Sequence, residues 1–324
     1  MSGERPIDGV RRMLSVLLPS PDMPFMERRS MVAAFEHAFE TPAGLSIEAG
    51  LLGGVTAEWI VPGASAPVLP GGASASGVPG DTPASAAPER GGAAPVLMHL
   101  HGGGYVLGTP ASSRPLTTAL ALKSGLRVVS IDYRLAPENP FPAAVDDAVA
   151  AYRALLEDGT APVAIGGESA GGGLAIAVLT ALRDAGLALP ACAFAISPWV
   201  DMACSAASFD TRGSFDPMLT RRALREMAEA YLRGTDEKHP LASPLHGDLA
   251  GLPPLLIHVG GDEVLLDDAH GLQAAATAAG VRSTLAQWPD MIHVWHMFHA
   301  ALPEGGQAID EIVAFVKGSA GWAG

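Results

Sequence analysis

From Pro95 onward the chain alternates between short, continuously apolar runs and helix-like stretches, and few folds satisfy that alternation. The apolar runs fall at Val96 to Leu100, Arg127 to Ile131, Val163 to Gly167, Ala191 to Ser197, Leu255 to Gly260 and Ser283 to Trp288. Between most of them lie Pro115 to Ser124, Ala143 to Glu157, Gly172 to Ala185 and Asp267 to Ala279, with Gln307 to Lys317 after the last, all of helical character. A strand that is apolar at every position is covered on both faces, so the expected class is α/β, a mainly parallel central sheet flanked by helices. Asp201 to Leu252 breaks the pattern and reads as a helical or irregular excursion. No internal repeat is evident, and with 48% apolar residues the 324-residue chain is expected to form one domain with a substantial core.

The part before Pro95 is less regular. Met26 to Phe39 places Met31, Phe35 and Phe39 four apart, as an amphipathic helix would, and Val55 to Val61 reads as a strand. Pro62 to Pro95 is nearly all Ala, Gly, Pro and Ser without an aromatic residue, a composition that buries too little apolar surface to offset its ordering entropy. Too little chain precedes it for a separate sheet domain, so an insertion in a surface loop is the better reading than a linker. The net charge of −14 repels phosphate backbones and argues against a nucleic-acid partner. Met13 to Leu18 is apolar, but Pro19 and Pro21 cut it short of a membrane span or signal peptide. Cys192 and Cys204 are too few for a disulfide framework and read as buried or incidental thiols, which suits a cytoplasmic protein.

Two glycine-rich strings carry the chemistry. Gly167-Glu168-Ser169-Ala170-Gly171 is weak as an isolated Gly-x-Ser-x-Gly match in a chain with 38 glycines. Its context strengthens it: the string follows the apolar run Val163-Ala164-Ile165 and opens a helical stretch, as a nucleophile elbow must. His101-Gly102-Gly103-Gly104-Tyr105 follows the first strand after Pro95, and its glycines leave backbone N–H groups unshielded for an oxygen that becomes negative during acyl transfer. No Gly-Lys-Ser/Thr follows it and the G-x-G-x-x-G spacing is not met, which disfavours a phosphate-cradling loop. His101 is expected to hold this loop in shape.

With HGGGY, then Asp132-Tyr133-Arg134-Leu135-Ala136-Pro137-Glu138, then GESAGG in that order, the chain resembles the hormone-sensitive-lipase group of α/β-hydrolases, the bacterial family IV esterases. Ser197-Pro198-Trp199-Val200-Asp201, Ser243-Pro244-Leu245, Gly251-Leu252-Pro253-Pro254 and Glu263 to Asp268 extend the resemblance, which spans residues 55 to 317 apart from the insertion. It implies an α/β-hydrolase fold with a cap formed by residues about 1–45 and 201–252. It also implies a serine esterase without cofactor or metal, with a triad in the chain order serine, acid, histidine. Ser169 is the expected nucleophile. Among the chain's ten histidines, His293 matches the base, in a loop after the last strand with Trp295 two residues on. His293, His296 and His299 are three apart, but the absence of nearby cysteines speaks against a metal site, and His296 and His299 are expected at a helix surface or cap.

The acid has two contenders. Laying Leu265-Leu266-Asp267-Asp268 over the family's Leu-x-Asp-Glu puts Glu263 at the acid position, 30 residues before His293, with Asp262 the runner-up. A carboxylate that accepts the imidazole Nδ1–H is all the role requires, so Glu can replace the commoner Asp. Asp267 and Asp268 are expected to start the next helix, Glu168 to make a local hydrogen bond, Arg134 and Glu138 to brace the site, and Trp199 and Asp201 to wall it. The oxyanion is expected to meet the N–H groups of Gly103, Gly104 and Ala170. The resemblance implies short- to medium-chain carboxylic esters as substrates, with lactones of the monoterpene ε-lactone type, acetylated small molecules, thioesters or amides as alternatives on the same machinery. A catalytically dead receptor on this fold is the non-enzyme alternative, and His293 speaks against it. A homodimer through the edge strand near Ser283 to Trp288 is a further implication.

Overall fold

A computed structural model describes residues 5–17, 23–36, 40–63 and 95–321. The expected insertion at 62–95 lies outside these residues except for its flanks, as does Phe39 of the expected N-terminal helix. In chain order the described elements begin with helices α1 (Pro6–Leu17) and α2 (Phe25–Glu36) and strands β1 (Leu45–Leu52), β2 (Val55–Pro62) and β3 (Val96–Leu100). They continue with α3 (Arg114–Ser124), β4 (Arg127–Ile131), α4 (Ala143–Glu157), β5 (Pro162–Glu168), α5 (Ala170–Asp184) and β6 (Cys192–Ile196). After β6 come α6 (Ser208–Thr211), α7 (Arg221–Leu232), β7 (Leu255–Gly260), α8 (Leu266–Ala278), β8 (Ser283–Trp288) and α9 (Pro303–Ser319).

The strands form one eight-stranded sheet in the order β1-β2-β4-β3-β5-β6-β7-β8. The β1–β2 and β2–β4 pairs are antiparallel, and every later pair is parallel. The inner parallel strands β3, β6 and β7 are buried at every position because alternate residues enter opposite cores, while β8 at the edge of the sheet is only half buried. Met98, Val129, Ile165 and Ile257 join α4, α5 and α8 on one face, while Leu97, Val128, Phe194 and Leu256 meet α3 and α9 on the other. Seven of the eight strands, β2 to β8, and the helices between them match the sequence reading; β1 was not expected, and α5 and α9 begin earlier than their patterns suggested. Among the described residues no helix is long and apolar enough to cross a membrane.

The excursion between β6 and β7 carries α6 and α7 without a strand. It packs over the C-terminal ends of the parallel strands: Tyr231 of α7 stacks on Tyr105, with ring centroids 3.9 Å apart and planes at 8°. The N-terminal helices reach the same end. Arg29 of α2 donates to the Val106 and Ala136 carbonyls at 2.7 and 2.6 Å, and α1 buries Ile7, Val10 and Leu14 against Met291, Ile292 and Trp295. This is the end of the sheet at which open parallel sheets generally place their ligand sites.

Candidate active site

Ser169 sits between β5 and α5 with φ 56° and ψ −121°, a backbone conformation that a non-glycine residue holds only when its surroundings enforce it. Close approach supplies the enforcement. A Cβ on either Gly167 or Gly171 would run into the Leu100 carbonyl of the neighbouring strand, so the residues flanking the serine must be glycine for the turn to fit. The elbow is fastened to the end of β6: Ser169 N–H donates to Ile196 O at 2.8 Å, and Trp199 N–H donates to Ser169 O at 3.0 Å.

β7 ends in a loop carrying Asp262 and Glu263, and the two acids part company there. Glu263 is fully buried. Its Oε1 accepts from Gly260 N–H at 2.6 Å and Ser197 Oγ at 2.8 Å, and its Oε2 lies 2.8 Å from His293 Nδ1. Asp262 turns the other way and meets Arg11 at 2.7 Å. Three groups thus fix Glu263, which gives His293 Nδ1 a single acceptor and sets the ring's tautomer. Ser197 Oγ also accepts from Val294 N–H at 3.1 Å, so one hydroxyl ties together the end of β6, the acid and the loop bearing His293. The sequence reading quoted Ser197 only within a motif; its role depends on contacts with residues up to 97 positions away and leaves no local signal.

Burial acts to lower the His293 pKa. The Glu263 hydrogen bond and charge, aided by Asp216 and Glu168, outweigh it and raise the group above its ordinary value. Among the described residues no hydrogen bond joins Ser169 Oγ to His293, and His293 Nε2 carries none. Ser169 and His293 stand on loops that are each fastened to the end of β6, so the ring nitrogen left open by Glu263 belongs to the same end of the sheet as the serine.

The HGGGY loop is held from below. Gly102 N–H and Ser113 Oγ donate to Glu168 Oε1 at 2.7 and 2.6 Å, and Glu168 Oε2 lies 2.7 Å from His99 Nε2. Glu168 therefore makes long-range bonds spanning two strands, not the local one its position suggested. His101 stacks on Tyr133 with centroids 4.1 Å apart, and its Nδ1 is 2.7 Å from the Gly102 carbonyl, which can only accept. Burial drives the His101 pKa down to about 4, so the ring stays neutral and shapes the loop. Gly103 takes φ 110°, and a Cβ there would run into the Leu107 carbonyl, so the position requires glycine. Among the described residues the N–H groups of Gly103, Gly104 and Ala170 carry no hydrogen bond; Ala170 begins α5, where helix geometry leaves the N–H without an internal partner.

The three C-terminal histidines face different partners. His293 meets Glu263, His296 Nε2 lies 3.0 Å from His258 Nδ1, and His299 Nε2 lies 3.0 Å from the Pro115 carbonyl. His296 is wholly buried, contrary to its expected place at a surface or cap, because the segment after His293 folds inward against Trp288 and β7. Among the described residues no three His, Cys, Asp or Glu side chains gather as metal ligands would. Asp267 and Asp268 lie in the first turn of α8 but serve other loops, accepting from the N–H groups of Ser208 and of Val200 and Asp201. Asp268 is so deeply buried that its pKa rises to about 8. Trp199 and Asp201 are buried, and Asp201 braces its own loop through Ala203 N–H and Ser205. Arg134 is paired with Asp147 and Glu138 with Arg29.

Comparison with known proteins agrees with this fold. The family model described as the α/β hydrolase fold matches residues 97–297. The chain is 56% identical over 227 residues to an acetyl-hydrolase of Streptomyces hygroscopicus, covering 69% of this chain and 76% of that protein. It is 36% identical over 228 residues to an esterase of Acinetobacter venetianus, covering 69% and 75%. The crystal structure of an esterase from the bacterial hormone-sensitive lipase family superposes with a TM-score of 0.86 at 40% identity, covering 99% of this chain and 100% of that one. An esterase/lipase from an uncultured bacterium superposes with a TM-score of 0.84 at 42% identity, covering 98% and 100%. Sequence, fold and site together make this chain a member of the α/β-hydrolase fold family, in its hormone-sensitive-lipase-like group of carboxylic ester hydrolases.

Proposed function

We propose that this carboxylic ester hydrolase works through a Ser169–His293–Glu263 triad and an acyl-enzyme intermediate, on short- to medium-chain esters. The observation that carries the reading is the Glu263–His293 contact of 2.8 Å, which leaves Nε2 as the open ring nitrogen at the same end of the sheet as a strained serine elbow. Nε2 takes the Ser169 proton as the hydroxyl attacks the ester carbonyl, and Glu263 stabilises the imidazolium that forms. The N–H groups of Gly103, Gly104 and Ala170 receive the oxyanion. His293 then protonates the leaving alcohol, and water hydrolyses the acyl-enzyme by the same steps in reverse. Glu168 and Ser197 hold the oxyanion loop and the acid in place.

We assign α1, α2 and the excursion at residues 201–252 to a cap over this site, supported by the Tyr105–Tyr231 stack and the Arg29 bonds to the oxyanion-side loop. The relative named an acetyl-hydrolase weights the substrate range toward the shortest acyl groups.

The test is hydrolysis of p-nitrophenyl esters from acetate to palmitate, run beside Ser169→Ala, Glu263→Ala and Asp262→Ala. Turnover should be greatest on the short esters, Ser169→Ala should remove at least about four orders of magnitude, and Glu263→Ala should cost far more than Asp262→Ala. A larger loss in Asp262→Ala would reassign the acid. No turnover by folded protein anywhere in the series would overturn the substrate class and turn attention to lactones.

A further inference from the structure

Arg11 occupies an unusual position. It lies on α1 four residues after Ile7 and three before Leu14, on the helix face that packs against the His293 segment. Its guanidinium reaches three segments that are far apart in the chain. Nη1 donates to the Phe215 carbonyl at 2.7 Å, and Nη2 donates to Asp262 Oδ2 at 2.7 Å and to the Asp290 carbonyl at 3.2 Å. Asp262 is the residue before the proposed acid, and Asp290 lies three before the proposed base. Phe215 precedes Asp216, whose Oδ2 accepts from Val264 N–H at 3.0 Å on the other side of Glu263.

The loop that Arg11 grips needs support. His293 is flanked by Asp290 at φ 61° and Val294 at φ 51°, and a β-branched residue in the left-handed region is costly to hold there. Val294 is held from one side by Ser197. On the other side the acid and base loops are stitched by Gly261 N–H to Trp288 O at 2.8 Å and Asp262 N–H to Met291 O at 3.0 Å, and Arg11 adds a side-chain tie from both loops to the Phe215 segment. A planar fork with several donors suits this work, since one rigid group can fix three acceptors at once.

We propose that Arg11 is a positioning residue for the ester hydrolysis: by pinning Asp262, the Asp290 carbonyl and the Phe215 carbonyl to one guanidinium, it sets the acid loop against the base loop. α1 is then part of the catalytic apparatus as well as of the cap. The inference rests on Glu263 and His293 being acid and base.

Arg11→Ala, Arg11→Lys, Asp262→Asn and the double variant Arg11→Ala/Asp262→Asn test it, each assayed well below its measured unfolding temperature. With p-nitrophenyl acetate, Arg11→Ala should lower kcat by roughly ten- to a hundredfold, the scale of a misplaced catalytic group, with KM little changed. The rate at which phenylmethylsulfonyl fluoride modifies Ser169 should fall by the same factor, because that small reagent needs the activated serine but no roof. Arg11→Lys should recover part of the loss, and the double variant should be no worse than Arg11→Ala alone. A rise in KM with unchanged sulfonylation would overturn the proposal and leave Arg11 a roof residue; so would losses that multiply in the double variant. If Arg11→Ala does not fold, Arg11→Lys and Asp262→Asn carry the same two readouts. Glu263→Ala run in parallel keeps the two readings apart. If it retains full activity, the triad fails. If it is inactive while the Arg11 variants match the wild type, only the positioning role fails.

Discussion

Two glutamate–histidine pairs lie buried within this molecule at nearly equal distances: Glu263–His293 at 2.8 Å and Glu168–His99 at 2.7 Å. Their surroundings separate them. His99 stands in the middle of β3 with no exposure, and both ring nitrogens are engaged, Nε2 by Glu168 and Nδ1 by Ser130 Oγ at 3.2 Å. His293 sits on a strained loop at the end of the sheet, with Nδ1 engaged and Nε2 open. On the proposed mechanism a buried carboxylate–imidazole pair is a brace when both nitrogens are tied and a proton-transfer device when one is left free. The reading predicts that the same substitution will do different things at the two sites.

The largest expected difference comes from Glu→Gln in both pairs. At 263 an amide cannot serve the imidazole Nδ1–H, the Gly260 N–H and the Ser197 hydroxyl together, so the ring loses its acceptor or the acid loses its anchors. Glu263→Gln should lower kcat on p-nitrophenyl acetate by about three to four orders of magnitude, the scale on which loss of the orienting acid acts in serine hydrolases. Glu168→Gln touches neither Nε2 of His293 nor Ser169 Oγ and should lower kcat by less than about tenfold. Comparable losses at both sites would break the distinction and make the Glu168 pair part of the proton-transfer machinery.

Stability should move in the opposite sense. Glu168→Gln leaves His99 buried without its carboxylate and weakens the acceptor shared by Gly102 and Ser113. Thermal unfolding should report a loss of about 3 kcal/mol, the lower end of what removing one partner of a buried pair costs. Burial acts to raise the Glu168 pKa, but the His99 charge, with the hydrogen bonds of His99, Ser113 and Gly102, outweighs it and holds the group below the usual carboxylate range. A carboxylate depressed in the native state contributes its stability fully above the unfolded value of about 4.3 and loses it as pH falls through the lower native value. The gap between wild type and Glu168→Gln should accordingly be widest at neutral pH and narrow on acidification below that value. A gap that does not change with pH would mean that the charge of Glu168 is not what the brace depends on.

How far these roles could be read from sequence depends on how local they are. The bounds of β3, β4, α4, β7 and β8 coincide with the apolar and helical runs, because each run is long enough to fill a strand or helix. β1 escaped notice because its Leu45–Leu52 segment is half exposed and mixes polar with apolar positions; only the Gly53-Gly54 turn and pairing with β2 make it a strand. The elbow and the HGGGY loop were legible because their chemistry demands glycine within a few residues. Placing Glu263 ahead of Asp262 drew on a family pattern, since two adjacent acids look alike until the backbone points one inward and the other toward Arg11. The roles of Arg11, Ser197, Asp216 and His99 rest on contacts between residues 31 to 279 positions apart, and no pattern in one sequence encodes them.

The smallest predicted effect sharpens the account of why His293 differs from an ordinary imidazole. Its ring faces Glu263, with Asp216 from the excursion and Glu168 from β5 adding negative potential, and its pKa is raised above the usual value of about 6.5. In the proposed mechanism His293 must be neutral to accept the serine proton, so the acidic limb of kcat/KM should have its midpoint above that value. The charged ring's contribution to stability has the opposite pH sense, being complete below 6.5 and lost as pH rises through the native pKa. Asp216 is itself buried and raised, with His293 and the N–H groups of Val264 and Met218 opposing that rise. Asp216→Asn removes the charge while keeping the size, and its amide oxygen can still accept from Met218 and Leu219. The midpoint should move to lower pH. Plateau kcat should fall by no more than roughly fivefold, the equivalent of about 1 kcal/mol for the one backbone bond lost at Val264. An unmoved midpoint would mean that Asp216 is neutral in the active enzyme and that Glu263 alone, with Glu168 behind it, sets the basicity of His293.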